Sequence, residues 1–185
     1  VSNKAEYAAR RIRPKIHKHL DDYLVELKPT KIKKQSLQLR ISGVDLRKID
    51  TVLKKMSLDR NVGPVDHFFQ GGTAQARQIF SDFLRHRFKN YVENRNQPQT
   101  DDVSHMSKYL HFGQISPLYL ALQVFKADER FKEARETFIE ELIVRRELAM
   151  NFVYYTPNYD SYRCLPNWAQ KTLAEHRKDQ REYRY

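Results

Sequence analysis

Cysteine is almost absent from this sequence, and its scarcity limits the chemistry that the chain can support. Cys164 is the single cysteine among 185 residues, so neither an internal disulfide nor a zinc site with several cysteine ligands can form. One free thiol is typical of a reducing compartment. No apolar run approaches the roughly 18 residues that a membrane-spanning helix needs, and the first residues do not resemble a signal or transit peptide. These features predict an intracellular protein, located in the cytoplasm, nucleoid or nucleus.

Glycine is also scarce, with five residues in the whole chain, and the common motifs built on glycine or cysteine are missing. We find no glycine-rich phosphate-binding loop, no CxxC pair and no Ser-His-Asp arrangement of the kind that hydrolases use. The histidines, among them His105 and His111, are too few and too widely spaced to indicate a metal site. The sequence therefore predicts no metal ion.

Apolar residues recur mostly at helical spacing, which predicts an all-α helical bundle. Asp45, Thr73 and Ser116 are predicted cap residues, and the last is followed by a proline at the first helical position. Pro14 should kink or break the first helix, because proline lacks a backbone donor. Helical spacing also places Trp168, the single tryptophan, in the core. The predicted helices span residues 4–27, 45–55, 73–89, 104–112, 116–127, 129–154 and 166–179.

The chain is strongly basic, with 34 lysine and arginine residues against 23 aspartate and glutamate residues and a formal net charge of +11. Residues 1–40 contain 11 basic and 4 acidic residues, and the basic segment 28–34 is predicted to be an exposed linker. A basic excess favours polyanions, because contacts with phosphates release condensed counterions. A solvated charged helix would have the same composition, so charge alone does not identify the ligand.

The longest predicted helix carries charged residues next to an apolar stripe. The stripe consists of four apolar residues at helical spacing: Phe138, Leu142, Ala149 and Phe152. Glu141 and Arg145 lie four residues apart beside this stripe, where a charge is costly unless it is paired or binds a ligand. The alternative is an ordinary i,i+4 surface ion pair, worth roughly 0.2–0.5 kcal/mol. The pattern alone slightly favours the surface pair, and both interpretations stay open.

A serine-containing segment, Ser104-His105-Met106-Ser107, stands at the predicted start of a short helix. Free backbone N–H groups at a helix start, together with two hydroxyl groups, are suited to bind a phosphate group. Simple capping of the helix by serine is the more common role of such a segment. The pattern by itself does not decide between the two roles.

Four segments contain more specific motifs. Residues 104–117 have the sequence SHMSKYLHFGQISP, and residues 140–149 have the sequence EELIVRRELA. Residues 6–16 contain EYAAR and IRPKI, and residues 159–169 contain YDSY and LPNWA. Together, and in this order, the motifs resemble class II cyclobutane-pyrimidine-dimer DNA photolyases of the photolyase/cryptochrome family. Because the matches cover nearly the whole chain, chance is a poor explanation for them.

The resemblance implies a domain assignment and a reaction. Residues 1–35 would form a linker helix and a basic linker, and residues 36–185 would form the N-terminal half of the helical FAD-binding domain. The implied activity is the light-driven, FAD-dependent repair of cyclobutane pyrimidine dimers in DNA. In such enzymes the dimer is flipped out of the duplex, in which it pairs and stacks poorly, and the flavin carries the chemistry.

The resemblance also implies roles for individual residues. Glu141 would be the catalytic carboxylate that hydrogen-bonds to the pyrimidine dimer. The implied cofactor-binding residues are Tyr91, Ser104, His105, Met106, Ser107 and Arg145. Tyr91 would contact the phosphate region of the FAD, the two serines and the backbone between them would form a phosphate-binding turn, and Arg145 would lie near both flavin and lesion.

Relative to a complete photolyase, the sequence would lack the α/β antenna domain and the second half of the FAD-binding domain. The missing initiator methionine also suggests an excised piece. With one wall of the flavin site encoded, FAD binding by this chain alone would be weak and the fragment inactive. Two alternative interpretations are a non-catalytic basic helical module that binds nucleic acid, and a folding fragment that self-associates through an exposed apolar face.

The basic excess generates a prediction about DNA binding. We expect the chain to bind DNA without sequence preference and with an affinity that falls with salt, because each phosphate contact contributes a log–log slope of about −0.9. Fluorescence anisotropy of a labelled duplex across a salt series measures this slope. A slope near zero would show that phosphate contacts do not supply the affinity.

Overall fold

The computed structural model of the chain describes residues 1–36, 38–61 and 63–180, and within these ranges it contains helices and no β-strand. The prediction of an all-α fold is therefore confirmed. The α-helices are, in chain order, α1 (Ala9–His17), α2 (Leu20–Tyr23), α3 (Ile49–Lys55), α4 (Thr73–Asp82), α5 (Tyr91–Asn94), α6 (Ser107–His111), α7 (Pro117–Phe125), α8 (Lys132–Ile139), α9 (Arg146–Tyr155) and α10 (Asn167–Glu175). No helix in the described ranges is long and apolar enough to cross a membrane.

Several helices are extended by turns of other pitch. Two π-helical segments, Phe83–Arg87 and Glu140–Arg145, continue α4 and α8 without a break in the chain of helical residues. Short 3₁₀ turns lie at Leu46–Lys48, Phe88–Asn90, Glu129–Phe131, Tyr162–Cys164 and His176–Lys178. The predicted helices over 73–89 and 129–154 are therefore each a succession of α, π and 3₁₀ turns.

The first predicted helix, over residues 4–27, is shorter than expected and divides into α1 and α2. The predicted break at Pro14 is wrong, because α1 continues through this residue to His17. Pro14 removes one donor from the helix, but its carbonyl oxygen still accepts a hydrogen bond from the backbone N–H of Lys18 at 3.2 Å. Tyr7 precedes α1 and is 76% exposed.

An aromatic cluster at the centre of the bundle forms the main core. The Phe83 ring is fully buried, and its centroid lies 5.5 Å from that of Phe88, 5.6 Å from that of Tyr91 and 5.8 Å from that of Phe138. Aromatic pairs at this separation add to the stabilisation that burial provides. The cluster therefore joins α5 and α8 to the π segment that continues α4.

The π segment Glu140–Arg145 is buried on two opposite sides. Leu142 packs into the main core, whereas Val144 packs in a second apolar cluster with Ile12 and Ile16 of α1. The predicted single stripe is correct only in its first half, because Phe138 and Leu142 are buried while Phe152 is 41% exposed. The sequence pattern missed Val144, since the helix that covers it lies far away in the chain.

Two of the three predicted caps are confirmed. The side chain of Asp45 accepts a hydrogen bond from Arg47 N at 3.1 Å, and Ser116 Oγ accepts one from the backbone three residues later at 3.4 Å. Thr73 is not a cap but the first residue of α4, and its hydroxyl donates to the carbonyl oxygen of Gln114 at 2.8 Å. Gly72 takes the cap position with φ +105°, and its N–H donates to Gln114 Oε1 at 2.9 Å.

The basic segment 28–34 is exposed throughout, as predicted. The placement of Trp168 in the core is wrong, because its side chain is 73% exposed and α10 contains no buried residue. An amphipathic pattern predicts an apolar face but does not say whether another element covers it. In the described part of the chain, nothing buries this face of α10.

The aromatic core generates a prediction about stability. Phe83→Ala should lower the free energy of unfolding by about 3–5 kcal/mol, because it leaves a cavity among the rings of Phe80, Phe88, Tyr91 and Phe138. Phe112→Ala is the matched control, since Phe112 is 72% exposed and its loss should change stability by less than about 0.5 kcal/mol. Urea unfolding followed by circular dichroism measures both. Equal effects of the two substitutions would contradict the assigned core.

Candidate functional site

A cleft of about 680 Å3 lies between α1 and the π segment Glu140–Arg145. Charged residues from three parts of the chain line it, including Arg13, Arg95, Arg135, Glu140, Glu141 and Arg145. The structure therefore brings the predicted residues Glu141 and Arg145 to one cavity. It also brings to this cavity arginines that the sequence patterns did not single out.

Glu141 forms an ion pair with Arg95 across the cleft. Arg95 Nη1 donates to Glu141 Oε1 at 2.9 Å, and the two side chains are 28% and 41% exposed. Among the described residues, Glu141 and Arg145 form no ion pair with each other. The interpretation of these two residues as an i,i+4 surface pair is therefore wrong.

The pitch of the π segment explains why Arg145 pairs with Glu140 and not with Glu141. A π turn has hydrogen bonds from residue i to residue i+5, so residues five apart come into register. Arg145 accordingly faces Glu140, with its Nε 3.5 Å from Glu140 Oε1. The i,i+4 rule applies to α-helices, and nothing in the sequence pattern indicated a π turn at this place.

Glu140 also binds the first helix. Arg13 donates from Nε to Oε2 and from Nη2 to Oε1 of Glu140, both at 2.8 Å. This bidentate contact holds the pKa of Glu140 below its ordinary value of 4.5 and raises the pKa of Arg13. Bidentate arginine–carboxylate pairs have well-defined geometry. The pair therefore fixes the orientation of α1 against the π segment.

Tyr91 is a core residue and is not among the residues that line the cleft. Its side chain is 7% exposed and belongs to the aromatic cluster. Burial raises the pKa of its hydroxyl, and the charge of Glu141 acts in the same direction while Arg95 opposes it. The phenol therefore stays protonated at neutral pH and can donate a hydrogen bond. Its electrostatic neighbours are Arg95 and Glu141, not the serine segment.

The serine segment forms a turn before α6 rather than the first turn of a helix. The predicted helix start at Ser104 is wrong, because α6 begins at Ser107. His105 adopts a left-handed conformation with φ +57°, and Met106 N donates to Ser104 Oγ at 3.4 Å. The side chain of Met106 is 2% exposed and packs in the core. Met106 can therefore contribute only its backbone to a ligand site.

Charged residues around this turn determine which ligand fits it. His105 Nε2 lies 2.6 Å from Asp101 Oδ1, and Arg87 Nη1 lies 3.4 Å from the other carboxylate oxygen of Asp101. Lys108 donates to the carbonyl oxygen of His105 at 3.2 Å, and burial lowers the pKa of its amine. Because Ser104 accepts through its hydroxyl oxygen, its O–H can still donate. The hydroxyl groups and nearby cations fit an anionic group such as a phosphate.

Asp102 connects this turn to α5. One carboxylate oxygen of Asp102 accepts a hydrogen bond from Asn94 at 2.5 Å, and the other lies 3.4 Å from Asn90 Nδ2. The serine turn is therefore tied to the helix that begins with Tyr91. No hydrogen bond among the described residues joins the turn directly to Glu141 or Arg145. The described residues contain no group of three or more His, Cys, Asp or Glu that could hold a metal ion.

Arg95 and Glu140, which the sequence patterns did not single out, are the ion-pair partners of Glu141 and Arg145 in the cleft. Arg95 lies 46 residues before Glu141 in the chain, so no helical or strand periodicity could have paired them. Glu140 is adjacent to Glu141 within the recognised EELIVRRELA motif. Its presence in that motif was the one available signal, but helical spacing did not indicate which of the two glutamates had which partner.

Comparison with curated proteins identifies the family to which this fold and cleft belong. No family model matches the chain, but whole-chain alignments show that it belongs to the photolyase family. It is 44% identical over 185 residues to the deoxyribodipyrimidine photo-lyase of Methanothermobacter thermautotrophicus. It is 41% identical over 193 residues to that of Arabidopsis thaliana and 36% identical over 185 residues to that of Potorous tridactylus.

The alignments cover the whole chain but a minor share of each relative. The chain spans 39%, 38% and 34% of the lengths of these three proteins, in the order given. The resemblance inferred from the four motifs is thus confirmed at the level of the family. The assignment to class II within the family stays a prediction.

The Arg13–Glu140 pair generates a prediction about pH dependence. Because folding lowers the pKa of Glu140 below 4.5, the pair contributes stability that is present above this pH and is lost as the pH falls through the folded-state pKa. The difference in unfolding free energy between wild type and Glu140→Gln should therefore shrink below about pH 4.5. Urea titrations over this range measure the difference.

A control separates this effect from a change in net charge. Glu136→Gln removes an exposed carboxylate from α8, whose contact with Lys132 is a weak one of 4.0 Å. Its stability difference from wild type should be smaller at neutral pH than that of Glu140→Gln. A Glu140→Gln difference that stays constant on acidification would refute the stabilising ion pair.

Proposed function

We propose that this chain forms part of the flavin and lesion site of a class II photolyase. The protein that contains it would repair cyclobutane pyrimidine dimers in DNA in a light-driven, FAD-dependent reaction. Residues 1–35 would provide the linker helix and basic linker, and residues 36–185 the N-terminal half of the FAD-binding domain. The observation that carries the proposal is the position of Glu141, which faces Arg95 in a charged cleft of a chain related to photolyases over its whole length.

Glu141 would contact the pyrimidine dimer directly. Arg95 binds Oε1 of its carboxylate, so Oε2 can accept or share a further hydrogen bond with a pyrimidine imide or carbonyl group. Charge develops on the dimer during repair, and groups that are already oriented towards it stabilise that charge without reorganisation. The Arg95 ion pair supplies this orientation, because it restrains the carboxylate before the substrate arrives.

The chain would hold part of the FAD through two groups of residues. The proposed cofactor contacts are Tyr91, Ser104, His105, Met106, Ser107 and Arg145. The serine turn offers hydroxyl donors and backbone N–H groups to a phosphate, and the protonated phenol of Tyr91 offers a further donor. When bound, the flavin supplies the light-driven electron transfer. The protein residues would bind and orient it.

A second candidate function is DNA binding without flavin. The exposed basic residues of segment 28–34 and of α1 support it, because they are free to contact phosphates. An absorption spectrum of the purified protein separates the two candidates. Flavin bands in the blue region support the photolyase assignment, whereas DNA binding by a protein that does not take up FAD supports the non-catalytic module.

The serine turn generates a prediction about cofactor binding. Ser104→Ala combined with Ser107→Ala should weaken FAD binding, because both hydroxyl donors are lost from the turn. Fluorescence quenching of added FAD measures the affinity in the chain and in the longer protein that contains it. Ser57→Ala combined with Ser81→Ala removes two hydroxyl groups outside the turn and should leave the affinity unchanged. An equal affinity for both double variants would exclude the turn as a phosphate site.

Glu141 generates a prediction about repair. In the longer protein that contains this chain, Glu141→Gln keeps the shape of the side chain but weakens its electrostatic effect, so the quantum yield of repair should fall while FAD binding is retained. Because the Arg95 pair is partly exposed, the stability change should stay near or below about 1 kcal/mol. Repair is measured as the loss of dimers from an oligonucleotide per absorbed photon.

Glu133→Gln is the control for this substitution, since it removes an exposed glutamate from α8 without touching the cleft. It should repair dimers with the wild-type yield. A Glu141→Gln variant with unchanged repair would overturn the proposed role of this carboxylate in the lesion site.

A further inference from the structure

Glu140 shares its carboxylate between two arginines from different elements. Arg13 of α1 binds both oxygens at 2.8 Å, and Arg145 Nε lies 3.5 Å from Oε1. The Glu140 side chain is 20% exposed, whereas that of Arg145 is 54% exposed. Glu140 is thus anchored by a bidentate contact, and Arg145 is the more loosely held member of the group.

We propose that Glu140 is a positioning residue that determines the partner of Glu141. By holding Arg145, it leaves Glu141 paired with Arg95 alone and keeps the second carboxylate oxygen of Glu141 available to a ligand. The arrangement of the side chains follows from the structure of the chain itself. Its consequence for repair rests on the function proposed above.

The charges in the cleft indicate that Glu140 and Glu141 compete for Arg145. Glu140 and Glu141 are adjacent in the chain and both line the cleft, so Arg145 has two carboxylates within the same helical segment. The π pitch brings it to Glu140. If Glu140 lost its charge, Glu141 would be the remaining carboxylate of the π segment for Arg95 and Arg145 together. A charge-assisted hydrogen bond to the second oxygen would then occupy the position that a ligand needs.

A purely structural role of Glu140 makes different predictions. If the Arg13 contact served only to hold α1 in place, removal of Glu140 would lower stability but would not move Arg145 towards Glu141. Its effect on repair would then be independent of Glu141. The location of the Arg145 guanidinium and the coupling between the two glutamates therefore separate the positioning role from the structural one.

The first test uses Glu140→Gln without flavin or DNA, so that it does not depend on the proposed function. Its crystal structure should place the Arg145 guanidinium in hydrogen-bonding contact with Glu141. Because Glu140→Gln leaves Arg13 without its partner and can impair folding, the double variant Arg13→Gln with Glu140→Gln is made in parallel. It removes both charges of the pair, so that no unpaired guanidinium is left, and it should show the same movement. Arg145 remaining away from Glu141 in the folded variants would overturn the proposal.

The second test is a double-mutant cycle in the longer protein. Glu140→Gln should lower the repair yield at saturating dimer by about tenfold, the effect of roughly one hydrogen bond. In a Glu141→Gln background the same change should have little further effect, because no carboxylate remains for Arg145 to occupy. Glu133→Gln is the control, because Glu133 does not line the cleft, and it should behave additively. Additive losses for Glu140→Gln would overturn the positioning role.

The two tests distinguish the failure of this inference from the failure of the proposed function. If Arg145 moves to Glu141 but the wild-type protein repairs no dimers, the photolyase function fails and the control of Arg145 by Glu140 stands. If wild type repairs dimers and Arg145 does not move, the inference about Glu140 fails and the photolyase function stands.

Discussion

The burial of one π-helical segment on two sides is the constraint on which the rest of the structure depends. Leu142 fixes the segment Glu140–Arg145 to the aromatic core, and Val144 fixes it to α1. With both faces engaged, the charged residues of the segment can point only along the remaining edges. These edges open into the cleft, and so apolar packing determines where the carboxylates of Glu140 and Glu141 meet arginines. The electrostatics of the site are thus a consequence of hydrophobic contacts.

Two adjacent residues of one type in the cleft have different partners and surroundings. Glu140 contacts α1 through Arg13, whereas Glu141 contacts the residue that follows α5, Arg95. The first contact is bidentate and joins two elements of the bundle, which suits a structural anchor. The second is a single hydrogen bond at a side chain that is 41% exposed, which is compatible with the ligand contact proposed for Glu141. The two glutamates differ in their partners and exposure, although their side chains are chemically the same.

Local signals in the sequence predicted the helical fold and several boundaries, but long-range packing determined the site. The caps at Asp45 and Ser116 follow from the chemistry of single residues, and the structure agrees with both. Trp168 was misplaced because periodicity cannot tell whether a face has a partner. The Glu141–Arg145 pair was misjudged because i,i+4 spacing presumes an α-helix, whereas packing on both sides accompanies a π turn here. The motifs identified the family correctly because they preserve order and spacing without needing this geometry.

The ion pairs of the cleft join residues that are far apart along the chain, and this has a consequence for how the site forms. Arg95 and Glu141 are 46 residues apart, and Arg13 and Glu140 are 127 apart. Closing loops of such length costs conformational entropy that only extensive tertiary packing offsets. We therefore expect the cleft to form late in folding, after the aromatic core has brought its walls together. An isolated peptide with the EELIVRRELA motif would have the sequence of the site but no partners to define its geometry.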